Sequence, residues 1–146
     1  MSGYEKLVIV DQYEGSHSNH AAVLRACDVM LEYLSNLQRP LPEVAAQAVK
    51  IAQEYTAGAL RFEALRDADA EISRFLKKTR YAKDLSKGTV SVVRASGALL
   101  KLLEDPTWGG GASEALSNIL EWVDEFDQSH PLFERLLEKN FKRPER

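Results

Sequence analysis

The chain has 146 residues, of which 45% are hydrophobic and 28% are charged, an ordinary balance for one folded domain. Its formal net charge of −3 gives no general attraction to nucleic acid or to an anionic membrane surface. The single cysteine, Cys27, excludes an internal disulfide bond, and no apolar run is long enough for a signal peptide or a membrane span. We therefore expect one cytoplasmic domain over residues 1–146, of bacterial origin.

The N-terminal segment, residues 1–18, combines one apolar run with a polar loop. The run Leu7–Val10 is rich in β-branched residues and predicts a short strand. An isolated strand cannot satisfy its own backbone hydrogen bonds. It would lie across the rest of the fold or pair with the same strand of a second copy, which would make a homodimer.

Apolar periodicity beyond this segment predicts six helices joined by short loops. Their apolar stripes span Val23–Leu37, Val44–Tyr55, Phe62–Leu76, Val92–Leu103, Leu116–Phe126 and Leu132–Phe141. Residues 88–104 also allow a strand, since Thr89–Val92 alternates, but the longer window favours a helix with a close approach at Ser96-Gly97. The predicted fold class is all-α, a compact bundle of about six helices that ends in a basic tail at residues 142–146.

The segment PTWGGGASE, residues 106–114, places three glycines before a helix, an arrangement that can hold phosphate. A phosphate site normally includes a cation, and no lysine or arginine lies between Lys101 and Arg135. Ser113 suits the N-cap position, and Glu114 in the first turn complements the helix dipole. The glycines are therefore interpreted as a flexible joint between two helices.

Two groups of residues could bind a metal ion. His17 and His20 have the spacing of ligands on one helix face, and further acids lie near them in the sequence: Asp11, Glu14 and Asp28. No third ligand has a matching spacing, so solvated loop histidines are the competing interpretation. We predict no bound metal and no cofactor.

The second group is Glu121-x-x-Asp124, which matches half of the carboxylate pattern of all-helical nucleotide pyrophosphohydrolases. The other half, Glu-x-x-Glu on a second helix, is missing. Glu63, Asp67 and Glu71 recur every four residues instead, which is typical of a solvated face. A small metal-dependent hydrolase acting on nucleotides is thus the alternative function. Cys27 lies within an apolar stripe, so we expect a buried, inert thiol.

The clearest charge asymmetry lies between Ala112 and Asp127, which contain five acids and no base. Trp122 stands beside the apolar stripe of this segment, and tryptophan is enriched at binding hot spots. The predicted surface for a basic protein partner comprises Glu114, Glu121, Trp122, Asp124, Glu125 and Asp127. A basic segment at Lys77–Lys87 includes Tyr81, but the overall acidity of the chain argues against nucleic acid.

Residues 26–79 resemble part of a known family. The stretch contains a cysteine-bearing helix, an Arg-Pro hinge, an alanine-rich helix that ends in aromatic-x-x-Gly, and a helix with an ALR motif. The later VVRASGALLKLL, residues 92–103, extends the resemblance. These features are similar to those of small all-helical immunity proteins of bacterial toxin systems, which neutralise partner toxins. The resemblance implies a non-catalytic protein–protein interaction module, either an immunity-type or a regulatory partner protein.

Overall fold

A computed structural model describes residues 3–80, 85–108 and 110–142 of the chain. All regular secondary structure in these ranges is helical, which confirms the all-α fold class. Residues 81–84 of the predicted basic segment, which include Tyr81, Lys83 and Asp84, and the tail residues 143–146 lie outside the described residues. The helices are α1 Gly3–Lys6, α2 Val8–Glu14, α3 Asn19–Ser35, α4 Glu43–Thr56, α5 Phe62–Lys78, α6 Lys87–Glu104, α7 Ala112–Asp124 and α8 His130–Phe141.

Helices α3 and α6 form the centre of the bundle. Helix α6 packs against α3, α4, α5 and α7, and α3 packs against α2, α4, α6, α7 and α8. Eleven residues of α6 are buried, so this helix is covered on nearly all sides. The predicted helix over 88–104 is confirmed, and the strand alternative at Thr89–Val92 is wrong.

Glycines in α6 allow two neighbouring elements to approach closely. A Cβ atom on Gly97 would lie 2.9 Å from Cγ2 of Ile72 in α5, which fits the predicted close approach. A Cβ atom on Gly88 would lie 2.2 Å from the carbonyl oxygen of Glu125, just beyond α7. The start of α6 is therefore held against the end of α7 by backbone packing that a larger residue would disrupt.

The predicted strand at Leu7–Val10 is wrong, because these residues enter and begin α2. The Val10 N–H donates to the Leu7 carbonyl over 2.9 Å, so the backbone satisfies its hydrogen bonds locally. Leu7, Ile9 and Val10 are buried, whereas Val8 is 51% exposed. Packing against α3, α7 and α8 outweighs the β propensity of the run. The strand pairing that motivated a homodimer is therefore not supported.

Helix α3 begins at a side-chain cap and contains the buried cysteine that the sequence predicted. The Ser18 hydroxyl caps this helix by accepting a hydrogen bond from the Ala21 N–H over 3.1 Å. Cys27 is buried, and burial, with the charge of Asp28, raises the pKa of its thiol to about 12.

No helix in the described ranges has the length and apolar character needed to cross a membrane.

Candidate functional site

Asp124, a predicted partner-binding residue, fastens the N-terminus of the chain to the bundle. Its carboxylate lies 2.7 Å from His130 Nε2 and accepts a hydrogen bond from the Tyr4 hydroxyl over 3.2 Å. The Gly3 N–H donates to His130 Nδ1 over 3.1 Å, so Nε2 carries the proton directed at Asp124. Burial and the Asp124 charge raise the pKa of Tyr4 to about 12. Asp124 therefore holds α1 against α7 and α8.

Asp127 joins two connections that are distant in sequence. Its carboxylate accepts hydrogen bonds from the Gln38 N–H over 2.8 Å and from the Arg39 N–H over 3.1 Å. The Arg39 guanidinium lies 4.3 Å from the centre of the Phe126 ring and donates to the Phe126 carbonyl. These bonds tie the link between α3 and α4 to the link between α7 and α8.

Glu125 is also engaged within the molecule. Its carboxylate accepts a hydrogen bond from the Ser91 hydroxyl over 2.9 Å and lies 3.7 Å from Lys87 Nζ. Both partners belong to the first turns of α6. This carboxylate therefore reinforces the close backbone contact between α6 and the end of α7.

The predicted acidic surface is thus divided into two parts. Asp124, Glu125 and Asp127 stabilise the fold, whereas Glu114 and Glu121 are exposed on α7 and Trp122 is half-buried against the core. The sequence showed how many acids this segment contains. It did not show which of them meet partners, because most of those partners lie more than thirty residues away.

The glycine loop before α7 does accommodate an anion, but the anion is a side chain of the protein. The Glu14 carboxylate accepts hydrogen bonds from the Ala112 N–H over 3.1 Å and the Ser113 N–H over 3.2 Å. Ser113 lies inside α7 and is not its N-cap, so that prediction is wrong. Gly111 has a φ of +121°, and a Cβ atom there would lie 3.0 Å from Glu14 Oε2. Glycine is thus needed for this cap, a role that the interpretation as a flexible joint did not include.

The candidate metal ligands near the N-terminus are not arranged around one point. His17 precedes α3, stacks on Tyr13 with a centroid distance of 3.8 Å, and lies outside the helix that holds His20. Glu14 is engaged with α7, as described above. Within the residues that the structure describes, no three His, Cys, Asp or Glu side chains come close enough to hold a metal ion.

Asp69 and Glu104 form a carboxyl pair that we did not predict from the sequence. The Asp69 side chain is only 13% exposed and lies 2.7 Å from Lys101 Nζ. Glu104 Oε2 is buried without a donor among the described residues. Burial, then the charge of Asp69 and a hydrogen bond to it, raise the pKa of Glu104. The sequence did contain a signal for the burial of Asp69, because position 69 lies between Leu65 and Ile72 on the buried stripe of α5.

A groove lies between α4 and α5, which we call the α4–α5 groove. Its volume is about 1100 Å³. Its walls and rim carry both acids and bases, whereas its floor is apolar. The floor consists of Val44, Ala48, Ile51, Ala64, Ala68 and Phe75, and the charged rim consists of Glu43, Asp67, Glu71, Arg74 and Lys78.

The α4–α5 groove exists because two predicted apolar faces are incompletely covered. Only Leu65 and Ile72 are buried among the seventeen residues of α5, while Phe62 is 41% exposed and Phe75 is half-buried. On α4 the buried residues are mainly alanines. Alanines leave little bulk between the two helix axes, so apolar surface stays open to solvent.

The rim of the groove is slightly acidic. Arg74 forms an ion pair with Glu71, so these two charges largely cancel. Glu43, Asp67 and Lys78 make no ion pair with other described residues. The arrangement can therefore hold an apolar ligand whose flanking groups include positive charge.

Comparisons with models of protein families, with curated proteins and with solved structures give no match to this chain. The similarity of residues 26–104 to immunity proteins consequently stays a prediction from the sequence.

Proposed function

We propose that this protein is a non-catalytic protein–protein interaction module that binds an amphipathic helix of a partner protein in the α4–α5 groove. The observation that carries the proposal is the uncovered apolar floor between α4 and α5. Exposed apolar surface that is framed by polar residues is characteristic of binding sites. An immunity-type or regulatory role is one that such a module would serve.

The shape of the groove supports a helical ligand. A short connection at residues 57–61 joins α4 and α5, so the two helices run antiparallel and leave an open channel along their length. Helix-in-groove recognition places ligand residues at i, i+3, i+4 and i+7 against such a floor. The small side chains of Ala48, Ala64 and Ala68 would allow the backbone of a third helix to approach.

The charge of the rim supports a basic ligand. Glu43 and Asp67 lie on opposite walls of the groove, and neither is neutralised by another described residue. Basic residues that flank the apolar stripe of the ligand would pair with them at the partly exposed edge. Such rim pairs contribute mainly to association rate and specificity rather than to affinity.

Glu114, Glu121 and Trp122 make no hydrogen bond or ion pair with other described residues, and we retain these residues of the predicted acidic surface as candidates for a second contact. Asp124, Glu125 and Asp127 have a different expected role. Because they bond to other elements, substitutions at these positions should lower the free energy of unfolding in addition to any effect on binding. The homodimer and the cytoplasmic location stay predictions of the sequence.

The proposal can be tested with two matched arginine substitutions. Ala70→Arg adds a long cationic side chain to the groove, whereas Ala46→Arg adds the same side chain on α4 outside the groove. Both alanines are exposed within helices, and arginine has high helix propensity, so stability should change by no more than about 0.5 kcal/mol.

The probe is a display library of helical peptides of about 15 residues, selected on the wild-type protein. Selected peptides should be amphipathic with flanking basic residues. Ala70→Arg should weaken their binding by at least about tenfold, equivalent to roughly 1.4 kcal/mol, and Ala46→Arg should leave it within about twofold. Equal binding to the two variants, or failure to select any peptide, would contradict the proposal.

A further inference from the structure

A smaller pocket lies between α6 and α7 and is separate from the α4–α5 groove. Its volume is about 390 Å³. Its walls include the side chains of Trp108, from the loop before α7, and Trp122, from α7 itself. Ala98 and Leu102 contribute an aliphatic surface from α6. We call this site the two-tryptophan pocket.

The two-tryptophan pocket brings together both tryptophans of the chain. Trp108 is 42% exposed, although a side chain of this size and apolar character would normally be covered. Trp122 is half-buried, with part of its ring packed against the core. Two indole rings in one pocket provide faces on which a planar or cationic group can stack.

The polar groups of the pocket favour a cation that donates hydrogen bonds. Glu114 contributes a carboxylate and Asn118 contributes an amide, and no basic side chain is among the described lining residues. Glu114 is exposed and makes no hydrogen bond or ion pair with other described residues, since Glu14 caps the helix instead. An anionic ligand would be repelled by this carboxylate.

We propose that the two-tryptophan pocket binds the guanidinium group of an arginine side chain from a protein partner. A planar guanidinium can stack on an indole while its N–H groups donate to Glu114 and to the amide oxygen of Asn118. A lysine ammonium would interact with the carboxylate as a point charge but would lack the stacking surface. This inference rests on the proposed protein-binding function, because a protein partner supplies the arginine. The pocket itself is a separate site from the α4–α5 groove.

The intrinsic fluorescence of the protein reports on this pocket, because both tryptophans line it. The probe is N-acetyl-arginine methylamide, and the matched control ligand is the citrulline analogue, which has nearly the same shape and no charge. We expect a saturable fluorescence change with the arginine probe, with a dissociation constant on the order of millimolar. The citrulline analogue should bind at least about tenfold more weakly.

Two charge-matched variants separate pocket binding from general attraction to an acidic surface. Glu114→Gln should weaken binding of the arginine probe by about tenfold, whereas Glu63→Gln should leave the dissociation constant within about twofold. Glu63 is exposed on α5 and does not line the pocket. Equal effects of the two substitutions, equal binding of citrulline, or no saturable change would overturn the inference.

The outcome is distinguishable from a failure of the proposed function. The fluorescence titration uses a single amino-acid derivative and no helical peptide, so it should give the same result with the Ala70→Arg variant. Loss of peptide binding in the groove together with an intact arginine titration would reject the groove alone. The reverse pattern would reject the two-tryptophan pocket alone.

Discussion

Asp69 and Glu104 illustrate how a single side chain can depart from a correctly predicted helix. Helical spacing identified Leu65 and Ile72 as buried, and both are buried in the structure. Asp69 falls on the same face, although a charged side chain is normally expected on the exposed face of a helix. The residue is accommodated there because Lys101 supplies a positive charge at 2.7 Å from across the contact with α6. Apolar periodicity shows which face of a helix a residue occupies. Whether a charged residue is tolerated on a buried face depends on the residue that packs against it from the neighbouring helix.

The raised pKa of Glu104 predicts that Glu104→Gln stabilises the protein at neutral pH. A folded-state pKa above the unfolded value means that the protonated form is favoured by the fold, so stability is lost as the pH rises through the folded-state pKa. A glutamine stays neutral and can donate a hydrogen bond to Asp69. We expect the free energy of unfolding to rise by about 1 kcal/mol at pH 7.

Urea unfolding at pH 7 and near pH 4 measures this effect. The advantage of Glu104→Gln should shrink as the pH falls, because the raised pKa of Glu104 lets the wild-type carboxyl regain its proton before an ordinary glutamate does. Glu121→Gln, at an exposed acid of α7, is the control for the change in net charge. A destabilised Glu104→Gln variant at pH 7 would contradict the assignment.

Among the elements, helices with long apolar stripes were predictable and their ends were less so. The stripes of α3, α6, α7 and α8 are buried because each repeats over several turns, which outweighs any single residue. The run at Leu7–Val10 is only four residues long, and its composition gave the wrong backbone conformation. The start of α7 depends on Glu14, which is 98 residues from Ala112, so local sequence could not identify this cap.

The long-range cap predicts a measurable loss of stability in Glu14→Ala. This substitution leaves the Ala112 and Ser113 N–H groups without their acceptor at the start of α7. We expect a loss of about 1 to 2 kcal/mol, equivalent to a melting temperature lower by several degrees. Asp11→Ala, at an exposed acid of the same helix α2, should change stability by less than about 0.5 kcal/mol. Thermal unfolding of the two variants measures both changes in stability. An equal loss of stability in the two variants would contradict a capping role for Glu14.

At the scale of the whole molecule, the bundle is closed on one side and open on the other. Helices α2, α7 and α8 pack against α3, and α1 packs against α2, α7 and α8. Hydrogen bonds accepted by Asp124 and Asp127 hold that side together. Among the helices that the structure describes, α5 packs against α4 and α6 alone. Its uncovered apolar residues, with those of α4, form the groove. The sequence predicted both amphipathic helices, but it did not predict that other described residues leave part of their apolar faces open. Periodicity identifies an apolar face without showing what packs against it.

Site-specific photo-crosslinking in the native source tests whether a helix of a partner protein binds in the α4–α5 groove. A benzoylphenylalanine residue replaces Ala70 inside the α4–α5 groove or, as the control, Ala46 outside it. We expect a protein adduct from position 70 that is absent from position 46, with the crosslink mapped to an amphipathic segment that carries basic residues. No adduct at position 70, the same adducts at both positions, or an adduct only with a second copy of this chain would contradict the proposal.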